Sequence, residues 1–175
     1  NHHCSFGMIQ AHSSLEHNYL RDGFWAQSMA DELVNPKITA SILVRMEDVT
    51  DKINAGLNAG MSESERTKKV NEICRILEAE AVKGTNLAAN IKPYFNGNQY
   101  FLSVFKIFRD VRLVGAPNSA IGKFGGDTDN WTWPRYTGDF SVLRIYAGPD
   151  NEPAAISDKN VPYKPAKFFK ISARG

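Results

Sequence analysis

The 175 residues, 42% hydrophobic and 11% aromatic, make an ordinary globular chain that can bury one core and a small appendage, which excludes intrinsic disorder. Its 21 basic and 19 acidic side chains leave a net charge of +2 and are spread along the sequence, so no basic stripe is present to track a phosphate backbone and nucleic acid is excluded as a partner. No apolar run approaches the roughly 20 residues that span a bilayer, and a soluble segment is expected.

The opening, His2 to Glu16, is polar and short-residue with Gly7 at a turn, and reads as a connection leaving a strand. Aromatic residues Tyr19, Phe24 and Trp25 then surround the turn signal Asp22-Gly23, and Asn35-Pro36 marks a second break. From Ile38 to Met46 the composition is that of a strand, with Val49 extending it after a kink at Glu47-Asp48. A helix is the clearest local signal: Ser62 and Glu65 form a capping box, Val70, Ile73, Cys74, Leu77 and Ala81 recur at helical spacing, and Gly84 closes it. Arg66, Lys68, Lys69, Glu72, Arg75 and Glu78 give that helix a solvated face.

After Pro93 the chain returns to sheet. Asn96-Gly97-Asn98 is a turn, and Tyr100, Leu102, Val104, Lys106 and Phe108 alternate with Phe101, Ser103, Phe105, Ile107 and Arg109. Val111 to Val114 and Phe140 to Ala147 read as two further strands, the second beyond a Gly-rich stretch. The expected fold is mainly β, an antiparallel barrel with a helical excursion at 62–84. Trp25, Phe124 and Trp133 are assigned to the core, and the glycines at 122, 125 and 126 to turns or close backbone approach. Cys4 and Cys74 are either one disulfide or two buried thiols.

Acyl transfer by a hydroxyl needs an imidazole to take the proton and a carboxylate to hold that imidazole in one tautomer. Two segments offer them. His3 precedes Cys4 in Asn1-His2-His3-Cys4, as the base does at the end of a first-barrel strand in chymotrypsin-like peptidases, and Asp139 stands at the mouth of the strand in Thr137-Gly138-Asp139-Phe140-Ser141-Val142. Each has a plainer reading: a His beside a Cys packs or binds metal, an Asp at a strand entrance makes a turn, and His2 is an alternative base. Oxygen ligands at Asp127, Asp129 and Asn130 lack a following Glu at calcium-loop spacing. His2, His3, Cys4, His12 and His17 show no zinc spacing. The run Gly115 to Lys123 fails as a phosphate loop, since Phe124 stands where Ser or Thr would hold magnesium. No metal and no cofactor are expected.

The most distinctive stretch runs from Leu113-Val114-Gly115-Ala116-Pro117 through Ile121-Gly122-Lys123-Phe124-Gly125-Gly126-Asp127-Thr128-Asp129-Asn130-Trp131-Thr132-Trp133-Pro134-Arg135. Together with Asn1-His2-His3-Cys4, Asp22-Gly23-Phe24-Trp25-Ala26, Asp110-Val111-Arg112 and Val161-Pro162-Tyr163-Lys164-Pro165, it resembles the bacterial dipeptidyl-peptidases seven and eleven over the whole chain. The resemblance implies a serine exopeptidase on a chymotrypsin-like double β-barrel, with residues 1–175 a fragment of the first-barrel catalytic domain. It further implies His3 as general base, Asp139 as its orienting partner, and Asn130 and Trp131 as the binding site of the peptide's free amine. An amide carbonyl accepts from an ammonium, and an indole face attracts it by about 0.5–2 kcal/mol.

The reaction implied is release of dipeptides from the free N-terminus of oligopeptides through an acyl-enzyme. The chain starts without Met and stops after a strand-like run, so a piece of a longer protein is expected. Ser119, Ser141, Ser157 and Ser172 all lack a Gly-flanked nucleophile turn, so the piece alone is expected to be inert. The alternative is a non-catalytic relative that keeps the barrel as a peptide-binding or interaction module. The resemblance also implies oligopeptide substrates, a homodimer, and a periplasmic or cell-surface location.

Overall fold

The computed structural model describes residues 3–122, 138–170 and 172, with side chains from Phe6 onward. In chain order the elements are α1 (His3–His12), α2 (Tyr19–Asp22), β1 (Phe24–Trp25), β2 (Leu33–Val34), β3 (Ala40–Asp48), α3 (Thr50–Asn54), α4 (Glu63–Ala81), β4 (Ala88–Tyr94), β5 (Gln99–Phe108), β6 (Asp110–Ala116), α5 (Ser119–Gly122), β7 (Val142–Ala147) and β8 (Val161–Pro162). The fold is mainly β with a helical insertion, and it divides into two compact units, Asn1–Thr39 with Phe108–Gly175, and Ala40–Ile107.

The continuous unit carries a three-stranded sheet in the order β3-β5-β4. On β5 the predicted alternation holds, because Tyr100, Leu102 and Val104 are buried between half-buried neighbours. They meet Val49 and Ile53 of the α3 turn, and Val70, Ile73, Cys74, Leu77 and Ala81 of α4 close over them. This is the face the helical spacing predicts. Ser62 caps α4 through a bond from Glu65 N, and the Glu65 carboxylate returns to Ser62 N and Oγ at 2.9 and 2.7 Å. The helix ends at Ala81 with Val82 as its C-cap, three residues before Gly84 is passed.

Two expectations are corrected in this unit. β3 runs straight through Glu47-Asp48, and Val49 begins the α3 turn instead of extending the strand, because Asp48 Oδ1 accepts from Thr50 N and Oγ1 and turns the chain. β4 crosses Pro93, where sequence alone puts the sheet after it. Proline is tolerated there because β4 is the edge strand, so the missing N–H faces away from β5. Cys74 is a free thiol packed among the α4 apolar residues, and burial raises its pKa.

The other unit centres on β6. Antiparallel β7 lies on one edge, and β1 and β2 share the other, with Trp25 opposite Gly115 and Leu33 opposite Leu113. Ile9, Leu113 and Ala116 form one buried cluster in it, flanked by Met8, Tyr19, Leu20, Phe24 and Leu33, and Phe108, Val111, Tyr146 and Ala147 are buried as well. Gly23 ends α2 at φ +72°, where a Cβ would also crowd the backbone at Ala116 and Asn118, so only glycine serves. β7 starts at Val142, two residues later than the strand expected from Phe140.

Candidate functional site

Helix α1 replaces the connection expected at His2 to Glu16, with Gly7 inside it and not at a turn. Its apolar pattern is weak, and burial of Ile9 against Leu113 and Ala116 is what fixes it on β6. Its last residue is tied as well. Asn35, buried on the β2 side, donates Nδ2 to Leu33 O and so presents Oδ1 to His12, whose Nε2–H donates to it at 2.8 Å. His12 is thereby occupied as a structural donor. His3 is the first residue of α1, and its side chain lies outside the described residues, as does all of His2.

Asp139 enters from the other direction. Asn118 caps the short helix α5, Ser119 Oγ donates to Leu20 O at 2.8 Å, and Gly138 N donates to Ile121 O at 3.1 Å. The chain on either side of 123–137 is therefore joined at α5, with α1 packed against the same helix. Asp139 follows Gly138 directly, is half-buried, and has Oδ2 screened from solvent. Phe140 comes next and sets its ring 6.1 Å from that of Trp25.

Trp25 is not core. It is 51% exposed, because it lies flat on β6 where Gly115 leaves room, and a Cβ at Gly115 would collide with the indole. With Phe140, 45% exposed, it makes an aromatic ledge beside Asp139 that the sequence reading missed. Asn130 and Trp131 lie outside the described residues, as do Phe124, Gly125, Gly126, Trp133 and the candidate ligands Asp127 and Asp129. Of the four predicted site residues, the structure describes the side chain of Asp139.

A second group of charges sits on β6 and β7. Asp110, fully buried, accepts from Arg112 Nε and Nη2 at 2.9 and 2.8 Å and from Asn160 Nδ2 at 2.9 Å. Burial acts to raise the Asp110 pKa, but the Arg112 and Asn160 donors outweigh it and hold the carboxyl below its ordinary value. The Arg112 guanidinium is raised in turn by its bonds to Asp110, and it stacks 3.9 Å above the Tyr146 ring. Burial and the bond to Glu32 push the Tyr146 phenol up.

Among the described residues, no group of three His, Cys, Asp or Glu side chains is placed to hold a metal ion. His17 stacks on Tyr19 at 6.0 Å. A groove of about 660 Å³ beside α4 is lined by residues including Arg66, Cys74, Glu78, Ile91 and Tyr100 of the continuous unit, remote in sequence from Asp139. No described helix is long and apolar enough to cross a membrane.

The same architecture is found in solved structures. Porphyromonas endodontalis DPP11 in an alternate conformation matches with a TM-score of 0.86 at 45% identity, and the same enzyme in complex with the dipeptide Arg-Glu matches at 0.81 and 44%. Both matches cover 100% of this chain and 27% of the other. A mainly antiparallel β fold shared with these structures over the whole of this chain is the class that the likenesses define.

The peptidase S46 family model matches residues 1–175, and the chain belongs to that family. It is 50% identical to the Asp/Glu-specific dipeptidyl-peptidase of Capnocytophaga gingivalis and 47% identical to Dipeptidyl-peptidase 7 of Porphyromonas gingivalis, over 100% of this chain and 25% of each relative. The chain thus spans about a quarter of the length of the curated relatives it matches, and the resemblance read from its motifs is borne out.

Proposed function

We propose that the full-length protein is a serine-type dipeptidyl aminopeptidase. The observation that carries this is the end-to-end similarity to dipeptidyl-peptidases, 50% and 47% over all 175 residues, with solved relatives bound to dipeptides. In this reading both units belong to one catalytic domain of the chymotrypsin type, and the nucleophilic serine comes from outside these 175 residues. His3 takes the serine proton and delivers it to the leaving amine, and Asp139 holds the imidazole tautomer and stabilises the imidazolium. Supporting the pairing, α1 begins at His3 and packs on α5, and α5 is bonded through Ile121 O to Gly138, next to Asp139.

Asn130 and Trp131 bind the substrate ammonium, the indole by its face and the amide by its carbonyl. Measured identity does not separate the Asp/Glu-specific relatives from the Dipeptidyl-peptidase 7 relatives, so the reading stops at dipeptide release. A homodimer at the periplasm or cell surface completes the proposal. In the full-length enzyme, Asp139→Asn lowers turnover about 10⁴-fold with circular dichroism unchanged, because the amide favours the wrong tautomer. Near-normal turnover in that variant removes Asp139 from the mechanism. N-acetylated peptides are left uncleaved, and equal cleavage of free and acetylated substrates removes the roles of Asn130 and Trp131.

A further inference from the structure

β7 carries Arg144 and Tyr146 on one face, and both converge on one carboxylate. Glu32, its side chain 2% exposed, accepts from Arg144 Nε through Oε1 at 2.7 Å and from the Tyr146 hydroxyl through Oε2 at 2.9 Å. Glu32 immediately precedes β2, on the edge of β6 opposite β7, so its side chain spans the central strand. Its own backbone is held by the 3-10 turn Met29–Asp31, which Ser28 and Asp31 close with a capping box.

The register of β6 against β7 needs such a strap. Arg112 and Arg144 are direct cross-strand partners, an arrangement of like charges that disfavours the pairing unless each is answered. Asp110 answers the first and Glu32 the second. A slip of one residue would send Arg144 and Tyr146 to the opposite face and leave buried Glu32 without its donors. Beyond Leu143 the ladder is irregular: Leu113 faces Leu143 but Gly115 faces Val142, so β6 holds one extra residue there. Asp139 lies just past that bulge, five positions before Arg144.

We infer that Glu32 is a positioning residue, a strap from β2 across β6 to Arg144 and Tyr146 that sets where β7 begins and so where Asp139 presents its carboxylate. The inference rests on the catalytic reading of Asp139. Its test is Glu32→Gln in the full-length enzyme, which keeps the size of the side chain and removes its charge. The expected result is kcat lower by about tenfold with KM within about twofold, after correction for active sites titrated with a serine-directed phosphonate.

The acidic limb of the kcat/KM profile, which reports protonation of the His3 imidazole, moves to lower pH by about half a unit or more as the Asp139 carboxylate drifts from it. A role confined to stability lowers the titratable fraction and leaves that limb and the per-site kcat in place, which overturns the inference. If Glu32→Gln does not fold, Tyr146→Phe keeps the ring under Arg112, drops one bond to Glu32, and shifts the limb in the same direction by less. An unmoved limb there also overturns it. Asp139→Asn separates the two failures: an active Asp139→Asn enzyme sinks the catalytic reading, whereas an inactive one beside an unshifted Glu32→Gln profile sinks the strap alone.

Discussion

Asp110 shows how a single buried charge is kept. Removed from water, a lone carboxylate would protonate, yet two Arg112 nitrogens and the Asn160 amide hold it ionised, and Asn160 is itself fixed through Ala155 O at 2.8 Å. Its folded pKa therefore lies below the unfolded value of about 3.9, so the group adds stability that is fully present above that pH and is lost as pH falls through the folded pKa. Asp110→Asn leaves the partly buried Arg112 without its paired carboxylate, at a cost of about 1–3 kcal/mol near neutrality. Urea unfolding at a series of pH values checks both statements. The gap between wild type and variant is wide at pH 7 and narrows below about pH 4, and a gap that stays constant down to pH 3 contradicts the ionised assignment.

At the scale of elements, β6 is the strand that β1, β2 and β7 all pair with, and its C-terminal end is shaped by what it lacks. Gly115 lets the Trp25 indole lie on the backbone and reach Phe140, and the extra residue at Val114 turns its carbonyl to Ala26 N at 2.8 Å. Gly115→Ala drives the indole off the strand and costs about 1–3 kcal/mol, but in a Trp25→Ala background the same change is close to neutral. Equal costs in both backgrounds would show that the indole is not what Gly115 accommodates.

How far such elements can be read from sequence depends on the range of the signal. The Ser62–Glu65 box and the Val70 to Ala81 spacing are local, and α4 and its core face stand where they place them. β1, β2 and β8 are two residues long, too short for any period, and β4 is hidden by a proline that only its edge position permits. Helix α1 exists through tertiary burial of Ile9, for which His3 to His12 gives little local hint. The candidate site rests on motif resemblance and not on spacing, and of its four residues the structure describes the side chain of Asp139. The bonds from Arg144 and Tyr146 to Glu32 join residues 112 and 114 positions apart, beyond the reach of any local pattern.

Over the whole molecule, the division into a continuous unit, Ala40–Ile107, and a unit assembled from both flanks has an energetic counterpart. Val49, Ile53, Tyr100, Leu102 and Val104 form one buried cluster, Ile9, Leu113 and Ala116 another, and the two have no residue in common. Contacts within a cluster are lost together, so each unit is expected to open with its own free energy. Leu102→Ala removes a nearly fully buried side chain from the first cluster, worth about 2–5 kcal/mol. Native-state hydrogen exchange on the full-length protein should then show faster exchange at the amides of α4, β4 and β5, while those of β6 and β7 keep their wild-type rates. The reciprocal change, Leu113→Ala, should speed β6 and β7 and spare α4. Equal acceleration of both sets by either substitution would mean that the units open as one, and that a destabilising change anywhere in 40–107 reaches Asp139 through global unfolding.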